Sequence, residues 1–350
     1  MSTNAGKDII KQGILKSRSY KQFLYYKEEA EKSIKYLIEQ LTDDLHRYII
    51  SDKDPKDTLT KFVEIVNSKE LLLDELSIKH IRERLSNKDI LRERVIRILD
   101  SNFVKMTLPV FIALFDGANE YFAFRFTNQE KETLINGHII AIDLSEPMDR
   151  IIDKDEDIEY LNDYKLLNPY MLKIARDKIG MFGDDVLNAF EQGFKEALNG
   201  QYIDYILKSS NNITLELIEE SYKKYRAIMG TAGMNMALAK SPLGEIFYYG
   251  MAKAGESVGC GNELEDSFKN KCIKNPSWPL YYLRLTNDHR LALDLTLKKA
   301  RIYLEEARLA LDMLPSNFKT KPFLEFLFLT VEHYNQYWYN QIIRSIETIK

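Results

Sequence analysis

From Tyr20 to Ile50 the apolar side chains Phe23, Leu24, Ala30, Ile34, Leu37, Ile38, Leu41 and Leu45 recur at three- and four-residue steps, with Lys and Glu between them. That spacing lays one apolar stripe along a helix of 3.6 residues per turn and does not suit the alternation of a strand. The pattern returns over 58–75, 77–85 and 88–100, the last with Asn87 or Asp89 placed to cap it. Only 9 Pro and 15 Gly are spread over 350 residues, too few for a fold built on strands and tight turns. The expectation is an all-α protein.

The character of the helices changes after residue 100. FVKMTLPVFIALF (103–115) and LINGHIIAIDL (134–144) are apolar nearly all round, as are stretches within 171–206 and 243–260. A helix with no polar face belongs inside a bundle. Two amphipathic helices, about 288–313 and 320–347, close the chain on either side of a breaker at Leu314–Asn317. The expected organisation is a charged helical extension over 1–100 and a helical domain over 101–350, buried helices at its centre.

Composition excludes several classes. The net charge is −4 with the two signs mixed, so no basic stripe exists to follow a nucleic-acid backbone. Apolar runs such as Leu108–Phe115 are far too short for a membrane span, and MSTNAGKDIIKQ lacks the apolar stretch of a signal peptide. Cys260 and Cys272 make neither a C-x-x-C pair nor a disulfide framework, which suits a reducing compartment. A cytoplasmic location is expected.

Read in order, the buried helices carry a series of short elements. Lys105-Met106-Thr107-Leu108-Pro109 resembles K-x-x-R-P with Leu108 for Arg. His138 lies seven residues before Ser145-Glu146-Pro147-Met148-Asp149, which stands where D-D-x-x-D would. Gly183-Asp184 matches a G-D element, and Gly200-Gln201-Tyr202-Ile203-Asp204 matches G-Q-x-x-D in full. Gly230-Thr231 keeps the Thr of a K-T pair and loses its Lys. Gly255 through Asp266 fits a second acidic helix, with Asn262-Glu263-Leu264-Glu265-Asp266 for D-D-x-x-D. Asn275-Pro276-Ser277-Trp278-Pro279 resembles G-K-P-T-x-P without the Lys. In order and spacing this series resembles the trans-isoprenyl diphosphate synthases, from about residue 103 to the C-terminus.

The resemblance implies a class I isoprenoid synthase bundle around a central cavity. It also implies a prenyltransferase in isoprenoid biosynthesis that ionises a prenyl diphosphate with Mg²⁺ and elongates or transfers the chain. A leaving group with several negative charges needs cations, and hard cations need oxygen ligands. By resemblance the metal ligands are Glu146, Asp149, Asn262, Glu263 and Asp266, and the substrate contacts are Lys105, His138, Gln201, Asp204 and Thr231. No catalytic residue is assigned. Phe111, Phe115, Ile139, Ile142, Met181, Met229, Met234 and Met236 would line the prenyl pocket.

Other readings stand beside these. The acidic segments suit ordinary solvated helix faces, and His138 suits a core position on an apolar helix. Pro147 cannot donate an N–H inside a helix, so Ser145-Glu146-Pro147 reads as a new helix start. Leu108, Gly230 and Asn275 stand where three phosphate-binding bases are expected. Alternatives to an active synthase are therefore a non-catalytic subunit of a heteromeric synthase, a terpene cyclase, or a peptide prenyltransferase on the same fold. A homodimer or a heteromer with another prenyl synthase is the expected assembly. The aromatic run at 334–339 suits interhelix packing or an oligomer contact.

Overall fold

The computed structural model describes residues 18–144, 147–148, 150–151, 157–210 and 212–349, and no strand occurs among them. In chain order the helices are α1 (Arg18–Ser51), α2 (Pro55–Val66), α3 (Glu75–Leu85), α4 (Lys88–Leu99), α5 (Asn102–Phe122), α6 (Asn128–Asp143), α7 (Ile158–Gly180), α8 (Asp184–Ser209), α9 (Leu215–Ser221), α10 (Lys223–Met236), α11 (Leu243–Lys269), α12 (Trp278–Thr286), α13 (His289–Asp312) and α14 (Lys321–Ile349).

The ends follow from local chemistry. Asn87 caps α4 by accepting from the N–H of Asp89 at 2.9 Å, settling which of the two candidates serves. Thr127 and Glu130 form a reciprocal capping box at the start of α6. The helix expected over 58–75 is shorter: Asn67 takes a left-handed φ of 52° and ends α2, and only a 3₁₀ turn at Lys69–Leu71 follows. α6 ends at Asp143, ahead of the SEPMD segment and its proline.

Two compact units divide the described chain. One holds residues of Tyr26–Ile112 and Arg125–Leu187. Leu37, Leu41, Leu45 and Ile49 of α1 are buried in this unit as one stripe. Arg94 of α4, 3% exposed, donates from Nε to Asp163 of α7 at 2.8 Å and from Nη2 to Glu159 at 2.9 Å. The guanidiniums of Arg94 and Arg97 each lie 4.1 Å from the Tyr160 ring centre, and Arg84 also pairs with Asp163. The amino-terminal helices are thus fastened to α7 by ion pairs rather than set apart from it.

The other unit holds residues of Met1–Tyr25, Ala113–Phe124 and Asn188–Lys350. Its centre is α11, apolar on most sides as read from the sequence, packed against α10, α13 and α14. Cys260 lies there in a core with Tyr222, Trp278 and Tyr303, its thiol accepting from the Tyr222 hydroxyl at 3.7 Å. Cys272 is exposed, and both thiols are free. The aromatic run of α14 packs between helices, with Trp338 against Phe268 at 5.6 Å between ring centres.

Candidate functional site

The G-Q-x-x-D element lies on α8, which crosses α10 antiparallel at two glycines. A Cβ on Gly200 would lie 2.4 Å from the backbone N of Lys224, and one on Gly193 would lie 2.0 Å from Thr231 Oγ1. At Gly200 no side chain fits and the two backbones meet, while at Gly193 the Thr231 side chain fills the space. One turn beyond Gly200, Asp204 Oδ2 lies 3.0 Å from Lys224 Nζ. Lys224 and Thr231 are seven residues apart and share one face of α10. Thr231 is 4% exposed and fills the seam.

The second acidic segment forms the last two turns of α11. Its side chains diverge. Asn262 and Glu265 turn to α14, where Tyr334 Oη lies 2.8 Å from Asn262 Oδ1 and donates to Glu265 at 2.6 Å. Glu263 and Asp266 are three residues apart and so share a different face of α11, Glu263 buried there. Burial pushes the Glu263 carboxyl up to about 7, opposed by the charge of Lys224 and by a hydrogen bond from Ser277, while Asp204 and Asp266 raise it further. Burial also raises Asp266, with Lys269, Lys224 and Lys208 acting in the other direction. Asn275 donates to Asp266 at 3.3 Å.

A second ion cluster lies higher on α11. Glu256 is fully buried, 2.7 Å from Arg226 Nε and 3.0 Å from Lys253 Nζ, and Lys253 continues to Glu306 at 2.8 Å. Every base in this cluster is matched by an acid.

The structure thus pairs Asp204 with Lys224 and turns Asn262 to Tyr334. Gln201 stands on α8 next to Gly200, half-buried. Glu146 and Asp149 lie outside the described residues. Asp143 is buried and accepts from Ser101 Oγ at 3.0 Å. Lys105 is exposed and paired with Asp100 at 2.5 Å. His138 is 2% exposed, and burial pushes its imidazole down to about 3, so it is neutral and sits in the core. Of the expected prenyl wall, Phe111, Phe115, Ile139 and Ile142 are buried, but Met181 is 73% exposed. That expectation fails because α7 stops at Gly180, leaving Met181 in the turn beyond it.

Lys224 itself is absent from the sequence reading, since it belongs to none of the short elements. Its position seven residues before Thr231 was the available signal.

These donors do not compose a Mg²⁺ site as they stand. Among the described residues no three His, Cys, Asp or Glu side chains converge as a metal ion's ligands would. An ammonium already neutralises part of the carboxylate group, and the amide oxygen expected to join it is engaged by Tyr334.

No family model matches the sequence, and no curated protein does. Solved structures do match. The heptaprenyl diphosphate synthase from Staphylococcus aureus superposes with a TM-score of 0.59 at 11% identity, over 87% of this chain and 98% of that one. The geranylgeranyl pyrophosphate synthetase from the archaeon Geoglobus acetivorans gives 0.56 at 12% identity, over 79% and 97%. The decaprenyl diphosphate synthase from Rhodobacter capsulatus gives 0.54 at 12% identity, over 86% and 99%. The chain has the trans-prenyl diphosphate synthase fold. At such identity the likeness extends to architecture and not to chemistry. No single described helix is long and apolar enough to cross a membrane.

Proposed function

We propose that this chain is a non-catalytic member of a prenyl diphosphate synthase system, a subunit that partners an active synthase. The carrying observation is the 3.0 Å ion pair between Lys224 and Asp204, with Asn262 drawn off to Tyr334. Ionising an allylic diphosphate requires carboxylates free to hold hard cations, and bases free to hold the diphosphate. Here Asp204 is held by a lysine, and by resemblance Leu108, Gly230 and Asn275 stand in place of three bases. The core that shapes the fold is meanwhile intact: Phe111, Phe115, Leu264 and Cys260 are all 1% exposed or less. Intact packing with dispersed chemistry supports a scaffold or regulatory role over catalysis.

An active Mg²⁺-dependent prenyltransferase is the reading this displaces, and one experiment separates them. The purified chain is incubated with geranyl or farnesyl diphosphate, isopentenyl diphosphate and millimolar Mg²⁺, and pyrophosphate release is followed. No turnover is expected. A second synthase chain is expected to co-purify from the native source, and to change rate or product length when this chain is added back. Sustained pyrophosphate release by this chain alone overturns the proposal.

A further inference from the structure

Helix α13 is apolar on two sides. Its inner side, with Leu293, Ala300, Leu304 and Leu311, is buried. Both flanks are engaged within the chain. Toward α14, Asp294, Arg301 and Arg308 recur at seven-residue steps: Asp294 accepts from the Tyr339 hydroxyl, Arg301 donates to Gln336 at 2.6 Å, and Arg308 donates to Glu332 at 2.6 Å. On the other flank Lys299 Nζ lies 4.6 Å from the Trp278 ring centre, and Glu306 pairs with Lys253 at 2.8 Å. Between the flanks runs an outward stripe of Leu291, Leu295, Ile302, Leu309 and Met313. Leu295 is half-buried and the other four are exposed, Leu309 and Met313 by 64% and 70%. Single exposed apolar side chains are ordinary, whereas a row of them along one helix face calls for a partner.

The stripe is symmetric about Ile302. Leu295 lies seven residues before it and Leu309 seven after, while Leu291 lies eleven before and Met313 eleven after. The charges on the same face are antisymmetric. Lys298 stands four residues before Ile302 and Glu305 three after; both are exposed, and among the described residues neither has an ion-pair partner. We propose that this outer face of α13 is a self-association surface, docked antiparallel on α13 of a second copy of the chain. A two-fold axis at Ile302 sets that residue on its own copy, Leu295 on Leu309 of the second copy, and Leu291 on Met313 of the second copy. Each Lys298 then meets Glu305 of the other chain. The seven-residue spacing keeps the row at the seam of such a helix pair. A parallel pair would instead oppose Lys298 to Lys298, and a partner of different sequence has no use for the palindrome. This inference goes beyond the function proposed above and does not depend on it.

The test is sedimentation equilibrium on the purified full chain, with circular dichroism and melting to show that each variant is folded. Wild type is expected to be dimeric. Ile302→Glu puts two carboxylates on the axis and is expected to weaken association at least tenfold; Leu309→Glu is read in the same way if that variant does not fold. Lys298→Glu and Glu305→Lys are each expected to weaken association several-fold, and the two together to restore it, because the exchanged charges still meet. Orientation is read by cross-linking in a Cys272→Ser background, since Cys272 is exposed. Ile302→Cys is expected to form a disulfide between copies on mild oxidation. Leu309→Cys, whose two copies lie about 21 Å apart in the antiparallel pair, is expected to form none alone and one when mixed with Leu295→Cys. A monomeric wild type overturns the proposal, including one that associates only with a different synthase chain. So does a dimer that folded Ile302→Glu leaves intact, a double charge variant no tighter than the single ones, or cross-linking of Leu309→Cys alone without that of Ile302→Cys.

Discussion

Lys224 and Asp204 meet at 3.0 Å across two helices whose backbones touch at Gly200, so one residue of the G-Q-x-x-D element makes the approach possible and another uses it. In this chain Gly200 serves the helix crossing and Asp204 the ion pair.

The seam itself is testable. Gly200→Ala places a methyl 2.4 Å from a backbone nitrogen that no rotamer change can move. A loss of about 1–3 kcal/mol is expected, read as a lower urea midpoint. Gly193→Ala meets the side chain of Thr231 instead. Its loss is expected to be largely recovered when Thr231→Ala is added, whereas no substitution on α10 recovers Gly200→Ala.

The fastening of α4 to α7 depends on a buried pair. Asp163 is fully buried and faces both Arg94 and Arg84. Asp163→Ala removes the fully buried carboxylate facing Arg94, leaves it the exposed Glu159, and is expected to cost about 3 kcal/mol in chemical denaturation. Replacing both partners, Arg94→Met with Asp163→Leu, is expected to cost less than the single change, because no buried charge is left unmatched.

His138 predicts a pH dependence of definite sign. Its folded-state value is pushed down to about 3 from an ordinary 6.5 by burial. Between these values the unfolded chain binds a proton that the folded chain does not. The stability contribution is complete above about pH 6.5 and is lost as pH falls toward 3. The slope from this one group approaches about 1.4 kcal/mol per pH unit. In His138→Gln that part of the slope is expected to vanish, as measured by urea unfolding at a series of pH values between 4 and 7 (roughly the window in which the group matters).

Much of the fold was legible because helix formation is signalled locally. The stripe of α1, the apolar segments that became α5, α6 and α11, and the two closing helices are each visible in one stretch of sequence. Their ends were less so: Asn67 closes α2 through a backbone conformation that periodicity does not report. The site was legible only as a set of positions. Asn262 and Glu263 are neighbours in sequence, yet helical geometry sends them about 100° apart, one to Tyr334 and the other to a buried position.

The amino-acid sequence by itself determined that this chain is helical, which segments are buried, and which positions resemble those of a prenyl diphosphate synthase. Periodicity and residue type are properties of the chain taken a few residues at a time, and they survive without knowledge of any neighbour. Tertiary structure decided what the acidic residues do. Whether a carboxylate holds a metal or a lysine depends on which helix crosses it and how closely. That closeness was set at Gly193 and Gly200, two residues with no side chain to advertise it.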